Sequence, residues 1–304
     1  VRRYVGNRAG LVAVVKANAY GHGLLPIART AESQGVRMLG VATMEEGVAL
    51  REGGIETPIL VMYQPHADAL PLAIEHDLRV TVCDKVAAER LGTLAGRANR
   101  VAVVHAMLDT GMNRQGIALE DAAQVLHHFT RIAHLDIEGV CTHFPAADIV
   151  DDDYTHEQLM RFRRALRQLE REGIPFSVAH IANSAALINY PGSRFDMVRP
   201  GLMCYGIWPC AGAVEPELLR PVLRWETQVT QVRDLAAGES VSYGRTYTAE
   251  APRRLAVLPV GYADGYRHAF SNRAEVLVNG IRCRVRGAVC MDQVVIDVTD
   301  AGPV

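Results

Sequence analysis

A chain of 304 residues, 49% apolar and 22% charged, has material for a buried core beyond one ordinary compact domain, which argues against a disordered protein. Its formal net charge of -2 gives no general attraction for nucleic acid or anionic lipid. Six cysteines, at 83, 141, 204, 210, 283 and 290, form no C-x-x-C pair or Cys/His metal spacing, which fits a reducing cytoplasm rather than a disulfide framework.

Val1-Arg-Arg-Tyr4 reads as the tail of a helix already under way, and the last residues, Val298 to Val304, stop just past a strand, so both ends read as cut. No signal peptide is visible, and no apolar run reaches the roughly 18 residues of a membrane span. Leu11-Val-Ala-Val-Val15 has the unbroken apolar character of a buried parallel strand. It closes on Lys16 and opens into Ala17-Asn-Ala-Tyr20-Gly21-His-Gly23. A lysine at that point either snorkels to solvent, the commoner fate of one taken alone, or offers a desolvated amine to a carbonyl as a Schiff-base nucleophile.

Seven more apolar runs follow: Met38 to Ala42, Pro58 to Tyr63, Arg79 to Cys83, Val101 to Leu108, Ile137 to His143, Phe176 to Ile181, and Phe195 to Arg199. Segments of helical period lie between them, among them Leu25 to Gly35, Lys85 to Leu94, Leu119 to Ile132 and Asp153 to Gly173. The longest carries an N-cap at Asp152 or Asp153, a stop at Gly173, and a core stripe of Leu159, Phe162, Leu166 and Leu169. Strand and helix alternating through eight units predict an α/β fold, a (β/α)8 barrel of the TIM type. After the Pro-rich stretch Pro209 to Pro221 the pattern turns to strands. Trp225 to Val232 alternates, Leu255 to Val260 is apolar, and Ala274 to Val278 meets Ile281 to Val285 across Asn279-Gly280, a strong hairpin signal. The predicted organisation is a barrel over 1–221 and an incomplete, mostly-β domain over 222–304.

Chemistry in such a barrel sits where strands end. Lys16 ends the first strand, Asp109-Thr-Gly-Met-Asn-Arg114 follows the fifth, and Thr142-His143-Phe144 ends the sixth. Asn183-Ser184 follows the seventh and Arg199-Pro-Gly201-Leu202 the eighth. The last two loops are the usual phosphate site of this fold, with Ser184 supplying a hydroxyl and Gly201 a close backbone approach. Singly, Ser184 is a helix cap and Gly201 a turn. Together with a lysine nucleophile they describe a site for a phosphorylated aldehyde.

Val15-Lys16-Ala-Asn-Ala-Tyr20-Gly21-His-Gly23 resembles the pyridoxal phosphate attachment motif of the alanine racemases, enzymes built from a barrel and a C-terminal β domain. The resemblance extends through Leu108-Asp-Thr-Gly-Met-Asn-Arg114, Thr142-His143-Phe144, Ala182-Asn-Ser184-Ala, Val198-Arg199-Pro-Gly201, Val241-Ser-Tyr243-Gly, Gly261-Tyr262-Ala-Asp-Gly-Tyr266 and Cys290-Met291-Asp292. It implies a cytoplasmic, pyridoxal 5′-phosphate-dependent isomerase that interconverts L- and D-alanine and supplies D-alanine for peptidoglycan. Lys16 would hold the cofactor and act as base on one face of the α-carbon, with Tyr243 of the partner subunit on the other. Inversion requires a base on each face. The resemblance further implies a homodimer with shared sites. It places Tyr20, Ser184, Gly201 and Leu202 at the phosphate, His143 and Arg199 along the cofactor with Arg199 on its pyridine nitrogen, Arg114 and Met291 at the substrate carboxylate, and Tyr262 at the entrance. It implies no metal.

The family commonly has a lysine, often carbamylated, where this chain has Met107. A thioether cannot replace that charge, so a bound anion, another residue or looser positioning of Arg114 must serve, and Arg114 is expected to be less rigidly held. The chain also ends before the tyrosine that the family adds to the phosphate site. Alternatives are a serine or broad-specificity racemase, a fold-related decarboxylase, or a pyridoxal-phosphate-binding protein without turnover, including a truncated remnant.

Overall fold

Eight of the apolar runs become parallel strands: β1 (Gly10–Val14), β2 (Met38–Val41), β3 (Ile59–Val61), β4 (Arg79–Val82), β5 (Ala102–Asp109), β6 (Leu135–Cys141), β7 (Val178–His180) and β8 (Met197–Val198). The computed structural model that shows this describes residues 1–6, 9–210 and 219–304. Neighbouring strands run β4-β3-β2-β1-β8-β7-β6-β5, and β4 pairs again with β5, so the sheet closes into a barrel. Side chains alternate across each strand. One inward set, Val12, Met38, Leu60, Val178 and Met197, forms its own buried cluster. Stepping two residues along β1 from Val12 through Val14 reaches Lys16, and along β8 Met197 leads to Arg199.

Helices cover the outside. Asp153–Arg171 starts at Asp152, whose carboxylate accepts from the Thr155 backbone N–H at 2.8 Å, and Gly173 follows its end with φ 69°. Leu159, Phe162, Leu166 and Leu169 are buried as their spacing predicts, and Phe162 meets Phe195 edge-on at 5.3 Å.

The described chain forms two compact units, Val1–Leu223 and Arg224–Val304. Of the Pro-rich stretch Pro209 to Pro221, residues 211–218 lie outside the described residues. The second unit is antiparallel: Arg253–Leu258 is flanked by Gln231–Leu235 and Val294–Asp297, while Glu275–Val278 and Ile281–Arg284 form the expected hairpin. Its turn residues Asn279 and Gly280 both have positive φ, 50° and 81°, which suits a right-twisted two-residue loop. The alternating run from Trp225 is a strand only from Gln231 onward. Gln231 pairs with Val257, next to the end of the neighbouring strand at Leu258, and after the Thr230 N–H bond to the Val257 carbonyl at 2.9 Å the partner strand runs out. Among the described residues no helix is long and apolar enough to cross a membrane, and no three His, Cys, Asp or Glu side chains form a metal-binding group.

Candidate active site

Beyond the ends of the barrel strands lies a cavity of about 400 Å³, and eight of the residues singled out from the sequence line it: Lys16, Tyr20, Arg114, His143, Ser184, Arg199, Gly201 and Leu202. Lys16 opens an unusual turn. Ala17, Asn18, Ala19 and Tyr20 all have φ of 53–55°, a left-handed turn that L-residues avoid at a cost of roughly 1–2 kcal/mol each. The surroundings hold it: the Glu46 carboxylate accepts from the Ala17 N–H, Asn18 accepts from the Leu24 N–H at 2.7 Å, and the Tyr20 ring packs on Tyr205 at 4.7 Å. Such over-determined strain belongs to a site that must aim side chains, here Lys16 and Tyr20.

At the far end of the cavity the groups are neutral donors. The Ser184 hydroxyl oxygen accepts from the Gly201 N–H at 2.8 Å and the Met203 N–H at 3.3 Å, which leaves its own proton to donate. The Leu202 N–H donates to none of the described residues. Gly201 has no side chain because none fits: an added Cβ would sit 2.2 Å from the Tyr20 hydroxyl. Burial pushes the Tyr20 phenol up, with smaller contributions from Tyr63 and Cys204, so it stays protonated and able to donate. Three donors around a glycine suit a phosphate group.

Arg199 is buried across the middle of the site. Its Nη1 donates to the His180 ring and to the His180 carbonyl at 3.0 Å, and its Nη2 donates to the Thr142 carbonyl at 2.7 Å and to His143 Nδ1 at 3.1 Å. Its Nε–H has no acceptor among the described residues. Because His143 accepts from a guanidinium it is neutral, and burial, with Arg199, Arg114 and Lys16 nearby, pushes it down to about 3. On the opposite side Arg114 is exposed and makes no hydrogen bond or ion pair with any described residue. Met107 is buried in the cavity wall.

Tyr243, Tyr262 and Met291 belong to the second unit, where three loops converge. Ser242 donates to the Ala288 carbonyl at 2.7 Å, and the Tyr262 N–H donates to the Cys290 carbonyl at 3.0 Å. Gly261 permits this closeness, since a Cβ there would sit 2.3 Å from the Cys290 carbonyl oxygen. Tyr243, Tyr262 and Met291 are 77%, 50% and 59% exposed, unusual for large apolar-bodied side chains held on one loop cluster.

Residues 1–209 match the family model of the alanine racemase N-terminal domain, and residues 222–304 match that of the C-terminal domain. The chain belongs to the alanine racemase family. It is similar to the alanine racemase of Halothermothrix orenii, 40% identical over 99% of this chain and 79% of that one. It is also similar to that of Symbiobacterium thermophilum, 43% identical over 97% and 78%. Among solved structures, alanine racemase from Clostridium difficile 630 in complex with cycloserine superposes with a TM-score of 0.91 at 30% identity, covering 100% of this chain and 79% of that one. Barrel and β domain are thus the alanine racemase architecture, and the chain is an enzyme of that class, an isomerase acting on amino acids.

Two parts of this alanine racemase-family site went unread in the sequence. Tyr63, the last letter of an apolar run, stands in the cavity with its hydroxyl 2.9 Å from the Lys16 amine. His105 and His180, which no motif singles out for chemistry, are fully buried and bonded to each other behind Arg199. An inward-facing histidine on a buried strand, with Glu138 on the adjacent strand, was the available signal.

Proposed function

We propose that this protein racemises alanine with pyridoxal 5′-phosphate, in a homodimer where Tyr243 of the partner subunit completes each site. The observation that carries the reading is the single cavity that gathers an amine, a buried guanidinium and three neutral donors suited to a phosphate. The bound cofactor supplies an electron sink that acidifies the α-carbon. The division of labour we propose is a cofactor-binding barrel over 1–221 and a β domain over 222–304, a reading supported by the family matches over 1–209 and 222–304.

Tyr20, Ser184 and the backbone of Gly201 and Leu202 would hold the phosphate, and Lys16 the aldehyde carbon. The free Nε–H of Arg199 is the group for the pyridine nitrogen. A guanidinium only donates, so it leaves that nitrogen unprotonated and the electron sink weak, which favours returning a proton to the α-carbon over other carbons. Neutral His143 lines the ring. Lys16 takes or returns the proton on one face, and the exposed phenol of Tyr243 from the partner serves the other. Arg114 and Met291 would meet the substrate carboxylate, with Tyr262 at the entrance. None of the six cysteines is in a disulfide, which supports a reducing cytoplasm as the working compartment.

The test is isotopic. In deuterated water the purified protein with its cofactor is expected to wash deuterium into both L- and D-alanine, and Lys16→Ala is expected to lose this. Full activity in Lys16→Ala, or release of carbon dioxide in place of exchange, would overturn the reading.

A further inference from the structure

The two cations on the substrate side of the cavity share one neighbour. The Arg114 guanidinium carbon lies 5.1 Å from the centroid of the Tyr63 ring, and the Lys16 amine lies 5.1 Å from the same centroid and 2.9 Å from the Tyr63 hydroxyl. Tyr63 is placed firmly. It follows β3 by two residues, and the next side chain, Gln64, accepts from the Cys83 N–H at 2.5 Å and donates to Asp84, which pins the loop. No carboxylate bridges to Arg114 among the described residues, and neighbouring Met107 offers only a thioether. Among the described residues the Tyr63 ring is therefore the group that attracts the guanidinium. Left to themselves, Lys16 and Arg114 repel.

We propose that Tyr63 is a positioning residue for the racemisation: its ring holds Arg114 for the substrate carboxylate while its hydroxyl holds the Lys16 amine, fixing the separation between carboxylate and α-carbon base. This rests on the roles given above to Lys16 and Arg114. The electrostatics agree with the geometry. Burial pushes the Tyr63 phenol up, but the hydrogen bond and charge of Lys16, together with Arg114 and Arg199, outweigh it and leave the phenol below the usual tyrosine value. An aromatic ring face attracts a guanidinium through its quadrupole, so ring and hydroxyl separate into two testable functions.

The experiment compares Tyr63→Phe with Tyr63→Leu in the cofactor-loaded enzyme, and probes the carboxylate site with propionate. Tyr63→Leu is expected to raise the KM for alanine and the propionate inhibition constant roughly five- to tenfold. Tyr63→Phe keeps the ring, so both constants stay within about twofold of wild type while kcat falls severalfold. Apart from activity, an ultraviolet difference titration of the cofactor-free protein should show one phenol ionising early, absent in Tyr63→Phe and moved upward in Lys16→Ala. Tyr63→Met replaces the leucine variant should leucine unfold the protein. Unchanged KM and propionate binding in the ring-less variant, or equal damage from Phe and Leu, would overturn the inference. If wild type racemises and Lys16→Ala does not, that result condemns Tyr63 alone; an active Lys16→Ala condemns the underlying reading instead.

Discussion

His105 Nδ1 lies 2.7 Å from His180 Nε2 inside the barrel, and the direction of that hydrogen bond is set from its two ends. Arg199 can only donate, so His180 Nδ1 accepts and Nε2 carries the proton passed toward His105. Glu138 accepts at the other end, from His105 Nε2 at 3.0 Å and from Arg79 at 2.8 Å. Both imidazoles are thus neutral Nε2–H tautomers, and the chain of bonds runs one way from the cavity to Glu138. It locks the guanidinium whose remaining N–H faces the cavity.

This array makes stability depend on pH. Burial pushes His105 and His180 down, and the hydrogen bond from His105, with Arg79 nearby, holds Glu138 at about 2 against burial. All three bind protons more readily unfolded, so their stabilisation is complete above about pH 6.5, starts to fall there as the unfolded histidines charge, and falls further from about 4.5 to 2 through Glu138. Each extra proton taken up on unfolding adds about 1.4 kcal/mol per pH unit to the slope. Glu138→Gln, with a weaker acceptor for two donors, is expected to lose about 1–3 kcal/mol at pH 7. Urea unfolding at pH 7 and pH 4 checks this: the gap to wild type should narrow at the lower pH, and a constant gap contradicts the argument.

Gly201→Ala isolates the phosphate end. The new methyl would displace the Tyr20 hydroxyl, 2.2 Å from its position, without touching Lys16 or Arg199. Loss of one hydrogen bond to a charged group predicts weakening of pyridoxal phosphate binding by roughly ten- to a hundredfold. Fluorescence titration of the cofactor-free protein measures it, with circular dichroism showing an unchanged fold.

Phe162→Ala tests the barrel's outer layer. The ring is fully buried and edge-on to Phe195, so truncation leaves a cavity and is expected to cost about 3–5 kcal/mol in chemical denaturation.

What the sequence disclosed of this molecule follows from which forces are local. Apolar runs and helical stripes report burial directly, so all eight barrel strands and the helix capped by Asp152 were legible, as were the glycine-punctuated motifs around Lys16 and Gly201. Strand extent was less so, because a ladder needs a neighbour: Trp225 alternates like a strand yet lies before the pairing of Gln231 with Val257. Tyr63 and His180 were missed for a related reason. Each sits in an apolar stretch and gains its chemistry only from side chains far along the chain, Lys16 and Arg114 for one, His105 and Arg199 for the other.

The proposed sharing of sites between subunits makes a prediction that a single-chain site does not. Tyr243 is 77% exposed and bonds to none of the described residues, as expected of a side chain whose target lies on another subunit. Lys16→Ala and Tyr243→Phe proteins should each be nearly inactive as homodimers. Mixed under conditions that allow subunits to exchange, about half the dimers become hybrids, and in each hybrid one site carries both substitutions while the other carries neither. Activity should recover to about one quarter of wild type. Recovery should track the hybrid fraction measured by native mass spectrometry as the mixing ratio is varied. Hybrids that form and stay inactive would mean that Lys16 and Tyr243 act within one chain rather than across the dimer.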